Sequence, residues 1–255
     1  MILLFFFLLG LIFGSFIAAW ISRAHHEVSI WFGRSHCLSC QYTLQVQDLV
    51  PVFSFLWLKG KCRKCEAEIS KHYFFTELLM GAVFLFLAIF YNTDFLSISP
   101  QFIFALLASL FLTAILVSDF LYQEIPFSMI GFPSFVLFLL AVGTHIYPWQ
   151  NMLFGAIIAS GFFVLQYIVS KGKWIGFGDV TLGILMGVIL GWQKTLLALF
   201  FAYVGGALIS LILLALKKGK RDTAMPFGVF LSIATFISLL YGEKLIAWYL
   251  HLLYL

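Results

Sequence analysis

Long apolar runs separated by short polar stretches dominate this chain, and their lengths predict an all-α polytopic membrane protein. Met1–Ser22, Phe95–Ser118, Thr195–Leu216 and Thr223–Gly242 each run without a charged residue. A spanning helix needs about 20 such residues. The uncharged stretch from Ile125 to Ser170 is too long for one span, and Pro148-Trp149-Gln150-Asn151 divides it into two. A further span is expected over Tyr73–Tyr91, with Glu77 near its start. Val180–Gln193 is short and becomes a span only if Asp179 sits at its edge. The pattern predicts about eight transmembrane helices, with Leu245–Leu255 as an apolar tail at the interface. Met1–Ser22 lacks the basic leading segment and small-residue cleavage site of a signal peptide, so it is expected to be a retained first helix.

Composition removes the soluble alternative. Of 255 residues, 63% are hydrophobic and only 10% are charged, more apolar surface than a water-exposed fold can hide. The charges that exist are unevenly placed. Arg23–Lys71 contains seven Lys or Arg, Lys171 and Lys173 share one connection, and Lys217, Lys218, Lys220 and Arg221 share another. With eight helices these stretches fall on one side, and only Lys194 and Lys244 fall on the other. Basic connections mark the cytoplasmic side, which puts both termini outside. The net charge of +4 reflects this asymmetry and implies no nucleic-acid partner.

The one sizeable polar stretch, Ser22–His72, holds all four cysteines as Cys37-Leu-Ser-Cys40 and Cys62-Arg-Lys-Cys65. Two C-x2-C pairs at this separation have the spacing of a four-cysteine zinc site. Each pair supplies two thiolates, and four close a structural tetrahedron. Arg34, Lys61, Arg63 and Lys64 would offset its negative charge. So short a stretch cannot build much of a core, so the metal would contribute much of its folding energy. The alternative is a pair of disulfides, which a reducing cytoplasm disfavours. His36 adjoins the first pair but is expected to be an ordinary loop histidine.

Two aspartates stand at predicted helix ends. Asp119 follows the third helix and precedes Ile125-Pro126; Asp179 closes Gly176-Phe177-Gly178-Asp179 and opens the sixth. Ionisable groups at a membrane boundary are costly and are functional candidates. Two aspartates brought close can share one proton: one takes a proton from water while the other polarises a peptide carbonyl, as in an aspartyl protease. Gly176 and Gly178 offer backbone freedom and a close approach for a substrate strand, and Pro126 stiffens the turn into the fourth helix. Read singly, Asp179 is a helix cap and Asp119 a solvated loop charge, as Glu124 and Asp222 are expected to be. Gly183, Gly187 and Gly191 form a small-residue stripe suited to close helix packing.

These features, in this order, resemble the prepilin peptidase family of membrane aspartyl proteases. The resemblance is carried by Gly14-Ser15-Phe16, the cysteine pairs with Pro51, Leu58-Lys59-Gly60 and Ile69-Ser70, then Glu77, Ser118-Asp119 with Ile125-Pro126, Gly176-Phe177-Gly178-Asp179-Val180 and Pro226-Phe227-Gly228. It implies a bacterial inner-membrane enzyme that removes the basic leader from prepilin or pseudopilin precursors of type IV pili, DNA uptake or type II secretion. Many members also methylate the new amino terminus with S-adenosylmethionine. On this resemblance Asp119 and Asp179 are the catalytic pair, Cys37, Cys40, Cys62 and Cys65 bind zinc, and the chain divides into a first helix (1–22), a cytoplasmic zinc-binding loop for methyl transfer or recognition (23–72) and a peptidase region (73–255). The sequence departs from the family pattern at Phe127, Thr181 and Val229. Rival readings are an intramembrane aspartyl protease with other substrates, a proton-coupled transporter using the aspartates as relays, and a non-catalytic anchor for the cysteine loop.

Overall fold

The computed structural model describes residues 1–26, 29, 33–94, 98–216 and 225–253. The basic connection of Lys217, Lys218, Lys220 and Arg221, with Asp222, lies outside the described residues, as do Tyr254 and Leu255. The regular elements of the described chain are helices, α1 (Ile2–His25), α2 (Phe53–Trp57), α3 (Lys71–Phe90), α4 (Pro100–Tyr122), α5 (Gly131–Gly143), α6 (Trp149–Ser170), α7 (Phe177–Ala215) and α8 (Phe227–Leu253), while the cysteine region is built of turns with two isolated bridges, His36–Thr43 and Lys61–Glu68. Six of these are long and apolar enough to cross a membrane, and a shorter apolar segment covers Phe127–Gly143. The chain divides into two compact units, Met1–Ala114 and Ile115–Leu255, with the boundary inside α4.

In the first unit α1 and α3 run antiparallel in near backbone contact. A Cβ on Gly10 would lie 2.6 Å from the Met80 carbonyl oxygen, and one on Gly14 2.6 Å from the Glu77 Cα. Lipid tails are as apolar as leucine, so helices in a bilayer associate through such close van der Waals packing. Phe6 meets Phe102 edge-on at 4.9 Å and Trp20 meets Phe111 at 6.3 Å, which fastens the first part of α4 to α1.

The second unit is organised around α7, which packs against α6 and α8. At 39 residues α7 would be about 58 Å long if straight, nearly twice the ~30 Å hydrocarbon core. It is not straight. Gly191 has φ 69° and ψ 173°, outside helical space, and the chain reverses there. Asn151 of α6 accepts the Trp192 N–H at 3.2 Å beside the break. Further along α6, Ser160 and Phe163 lie against Gly183, while Gln166 bonds Tyr203. Both arms of α7 therefore run beside the same helix from a common end. This is the physical reason two apolar windows appear as one element: the hairpin turns on a single glycine, without a loop. Counting each arm of α7 separately and adding the shorter Phe127–Gly143 segment gives eight apolar segments among the described residues, the number the hydropathy pattern predicts.

The glycine stripe packs on α6. A Cβ on Gly187 would fall 1.9 Å from the Ala156 nitrogen, and one on Gly183 2.8 Å from the Ser160 nitrogen. At the end of the unit near Gly191, Lys194 is buried and its Nζ donates to Glu243 Oε1 at 2.6 Å and to the Tyr147 hydroxyl at 3.1 Å. The apolar tail does not form a separate interfacial segment: α8 continues unbroken to Leu253. Its 27 residues span about 40 Å, so its last turns still reach beyond the hydrocarbon core.

Gly187→Ala should destabilise the second unit by about 1–3 kcal/mol through overpacking. Gly161→Ala, on the same helix pair but with nothing within 4 Å of the added Cβ, should be neutral or slightly stabilising. Thermal unfolding of the two variants in detergent provides the comparison.

Candidate functional site

Asp119 lies in the last turn of α4 rather than beyond it, because the helix continues past Ser118 to Tyr122. The turn that follows is closed by its own polar groups. The Ser118 hydroxyl donates to the Glu124 carbonyl at 2.8 Å, the Gln123 N–H donates to the Asp119 carbonyl at 2.9 Å, and Gln123 takes φ 55°. Pro126, at φ −60°, then leads into a single 3-10 turn, Phe127–Met129. The result folds Ile125 back so that its side chain touches the Gly178 and Gly228 positions. Glu124 is exposed, as expected.

Both aspartates are more than nine-tenths buried, and both are held by helix N-termini. α8 starts at Phe227, directly after Pro226, and its first N–H groups have no intrahelical partner. Asp119 Oδ2 accepts the Val229 N–H at 3.0 Å. Asp119 also sits at the C-terminus of α4, where the helix dipole disfavours an anion by about 0.3–1 kcal/mol. A hydrogen bond to a charged group contributes about 1.5–3 kcal/mol, so the α8 terminus wins. Asp179 is the third residue of α7 and reaches back to the Gly176 N–H, 3.2 Å from Oδ2.

The backbone freedom expected of the glycines is not used here. Gly176 has φ −80° and Gly178 is not among the positive-φ residues, so neither needs left-handed backbone. A Cβ on Gly178 would meet Ile125 Cβ at 3.3 Å, and one on Gly228 would meet both Asp119 Oδ2 and Ile125 Cδ1 at 2.8 Å. Gly178 and Gly228 supply room, whereas a Cβ on Gly176 would meet nothing closer than 3.9 Å. Val229, Gly228 and Ile125 were not readable as site-forming from their side chains. The signals were the Ile125-Pro126 pair after Asp119 and Pro226-Phe227-Gly228, a proline-marked helix start.

The cysteines assemble in the first unit as two copies of one backbone device. The Cys37 N–H donates to Tyr42 O and Gln41 N–H to Cys37 O, both 2.9 Å; Cys62 N–H to Ala67 O and Glu66 N–H to Cys62 O repeat this at 2.8 and 3.0 Å. Gln41 and Glu66 take matching φ values of 56° and 57°. The four sulfurs lie within 4.8 Å of one another, with Cys37–Cys65 at 3.8 Å and Cys40–Cys62 at 4.0 Å. Tetrahedral zinc with Zn–S near 2.3 Å requires sulfur–sulfur edges of about 3.8 Å, so the set fits a metal. All four cysteines are free rather than bridged. The Cys40 backbone N–H draws the Cys37 thiol down to about 6. The Ala67 N–H favours the Cys65 thiolate too, but the sulfurs of Cys40, Cys62 and Cys37 together with desolvation push it up to about 12. Four thiols so close do not all ionise unless a cation offsets their charge. Arg63 bonds Asp48 at 2.7 Å, so that part of the expected cationic surround is engaged with a carboxylate. His36 stays out of the cluster, with Nδ1 3.3 Å from the Arg34 carbonyl.

Glu77 of α3 is the buried charge within the spanning helices of the first unit among the described residues. Its Oε2 accepts the Val52 N–H at 2.7 Å, and the Ser15 hydroxyl bonds the same carboxylate. Val52 has φ 63° and ψ −50°, with Phe53 N–H donating to Pro51 O at 2.6 Å. This is a γ-turn of the rare strained hand, on a β-branched residue, at a cost of about 1–3 kcal/mol. The bond to Glu77 is of a size that offsets it.

Comparison with known proteins completes the picture. Residues 8–91 match the Bacterial Peptidase A24 N-terminal domain and residues 105–211 match the Type IV leader peptidase family. The chain is 31% identical to the prepilin leader peptidase/N-methyltransferase of Bacillus subtilis, covering 96% of each chain. It is 30% identical to the protein of that name from Legionella pneumophila over 88% of this chain and 78% of the relative, and 28% identical to that of Pseudomonas aeruginosa over 85% and 74%. No solved structure matches the chain.

Gly228→Ala should drive the Asp119 carboxylate off the α8 terminus. The Val229 amide is then expected to exchange with deuterium about tenfold faster or more, as befits loss of a charged hydrogen bond. Hydrogen-exchange mass spectrometry measures this directly.

Proposed function

Because the chain belongs to the type IV leader peptidase family, we propose that Asp119 and Asp179 are the pair with which it cleaves prepilin-like precursors. The observation that carries this reading is that both buried carboxylates lie in one unit, each with Oδ2 fixed by a backbone N–H at a helix start. Their remaining oxygens are left for chemistry. One aspartate, ionised, takes a proton from water, and the resulting oxygen attacks the scissile carbonyl carbon. The other, protonated, donates its proton to the carbonyl oxygen as the tetrahedral species forms. Collapse breaks the C–N bond, the amine leaves with a proton from the first carboxyl, and the second regains its own. No covalent intermediate is involved, and the products are a leader carboxylate and a new amino terminus.

The aspartates face the cytoplasm in this reading. Lys171 and Lys173 follow α6 at the aspartate end of the second unit, and in sequence Lys217, Lys218, Lys220 and Arg221 follow the arm of α7 that returns to that end, against Lys194 and Lys244 at the Gly191 end; the basic excess then marks the inner face. A prepilin suits the arrangement chemically, since its apolar helix rests in the bilayer and its basic leader extends into the cytoplasm, with the scissile bond between them.

The relatives carry the name N-methyltransferase, and the same second activity is proposed here, with S-adenosylmethionine as methyl donor and residues 23–72 as the methyl-transfer region. Cys37, Cys40, Cys62 and Cys65 hold a structural zinc in that region. The metal closes the two knuckles and takes no part in hydrolysis.

Asp119→Ala and Asp179→Ala should each lower precursor cleavage by about 10³-fold or more while the protein still accumulates in membranes. Cleavage surviving in either variant would refute the pair. Purified protein should contain about one zinc per chain. Cys62→Ser should lose the metal and render residues 33–70 sensitive to protease while the helices stay intact.

A further inference from the structure

Three features of the first unit are left over from the hydrolytic chemistry, and they meet at one point. Glu77 is buried on α3 and takes no part in cleavage. Ser15, on α1, bonds it. The Val52 turn, bent at φ 63°, presents its N–H to it at 2.7 Å. Gly14 makes the meeting possible, since any Cβ there would collide with the Glu77 Cα at 2.6 Å. Val52 also directly precedes α2, which leads through Gly60 to the second cysteine knuckle.

We infer that Glu77 is a positioning residue: with Ser15 it clamps the strained Pro51-Val52 turn, and so fixes the cysteine-bearing segment on the α1–α3 pair in the arrangement that methyl transfer requires. The inference rests on the reading of residues 23–72 as the methyl-transfer region. Its physical content is separable from that reading. A β-branched residue at this backbone conformation relaxes when its N–H loses its partner. Glycine adopts positive φ without that penalty. If the carboxylate acts only by holding the turn, relieving the strain should make the carboxylate dispensable. A Glu77 that instead touched substrate or methyl donor would not be replaced by glycine at position 52.

The test uses full-length protein reconstituted with a precursor and S-adenosylmethionine, scoring cleavage and methylation separately by mass, with deuterium exchange of residues 50–58 in parallel. Glu77→Ala should lower methylation about tenfold, the scale of one lost charged hydrogen bond, with cleavage and zinc content unchanged. Exchange over the turn should rise. Val52→Gly alone should be near wild type, and the Glu77→Ala/Val52→Gly double variant should recover both methylation and protection. Should Glu77→Ala not accumulate, Ser15→Ala, which only loosens the carboxylate, carries the same comparison with an expected loss of about threefold. Methylation and protection unaffected by the loss of Glu77 would overturn the inference, and so would a double variant no better than Glu77→Ala. If wild type cleaves but never methylates, the methyl-transfer reading fails on its own. The exchange data then decide the clamp, supporting it if protection is lost in Glu77→Ala and restored by Val52→Gly, and rejecting it otherwise.

Discussion

A carboxylate taken out of water is tolerated only where the protein supplies the donors that water would have given. All three buried acids discussed here meet that condition in the same way, with a backbone N–H that has no helical or sheet partner of its own. Asp119 takes one from the start of α8, Asp179 one from the start of α7, and Glu77 one from the turn before α2. Because each bond joins a side chain to a chain reversal, the acids fasten loops and helix ends as well as being fastened by them. The candidate catalytic pair is therefore part of what orders the ends of α4, α7 and α8.

Those bonds are possible only because helices approach unusually closely. Gly14 against Glu77, Gly187 against Ala156 and Gly228 against Asp119 each leave no space for a Cβ. In a bilayer no hydrophobic gain drives one apolar helix onto another, so near backbone contact has to supply the attraction. The same economy explains the reversal at Gly191. A glycine takes φ 69°, Asn151 from the neighbouring helix satisfies the released Trp192 N–H, and the Thr195 hydroxyl donates to the Gly191 carbonyl at 2.6 Å. Two spans are joined with no polar loop exposed to lipid.

The cysteine region solves the opposite problem. It leaves Leu38, Val46, Phe53, Leu56 and Trp57 exposed and buries little apolar surface, and its order comes from paired turns around four sulfurs and from the bond between Val52 and Glu77. Its two knuckles repeat the same hydrogen bonds and the same left-handed residue after the second cysteine. The fold of that region is thus a matter of turn geometry around four sulfurs, while the rest of the chain is a matter of helix packing.

Hydropathy determined the passes, because span length and the absence of charge are local properties that need no partner. Cysteine spacing likewise determined the cluster, since a knuckle closes within four residues. Asp119 and Asp179 were legible as candidates because charges at the edges of apolar runs are costly wherever the chain folds. What sequence could not contain is who meets whom. The role of Gly228 depends on Asp119 arriving from more than a hundred residues away, Ile125 becomes a wedge only once the turn after α4 has closed, and Glu77 gains its partner only because Gly14 lets two helices touch. These are properties of non-local contact. Backbone N–H groups have no letter in a sequence, so only the tertiary structure decided which of them would hold the acids.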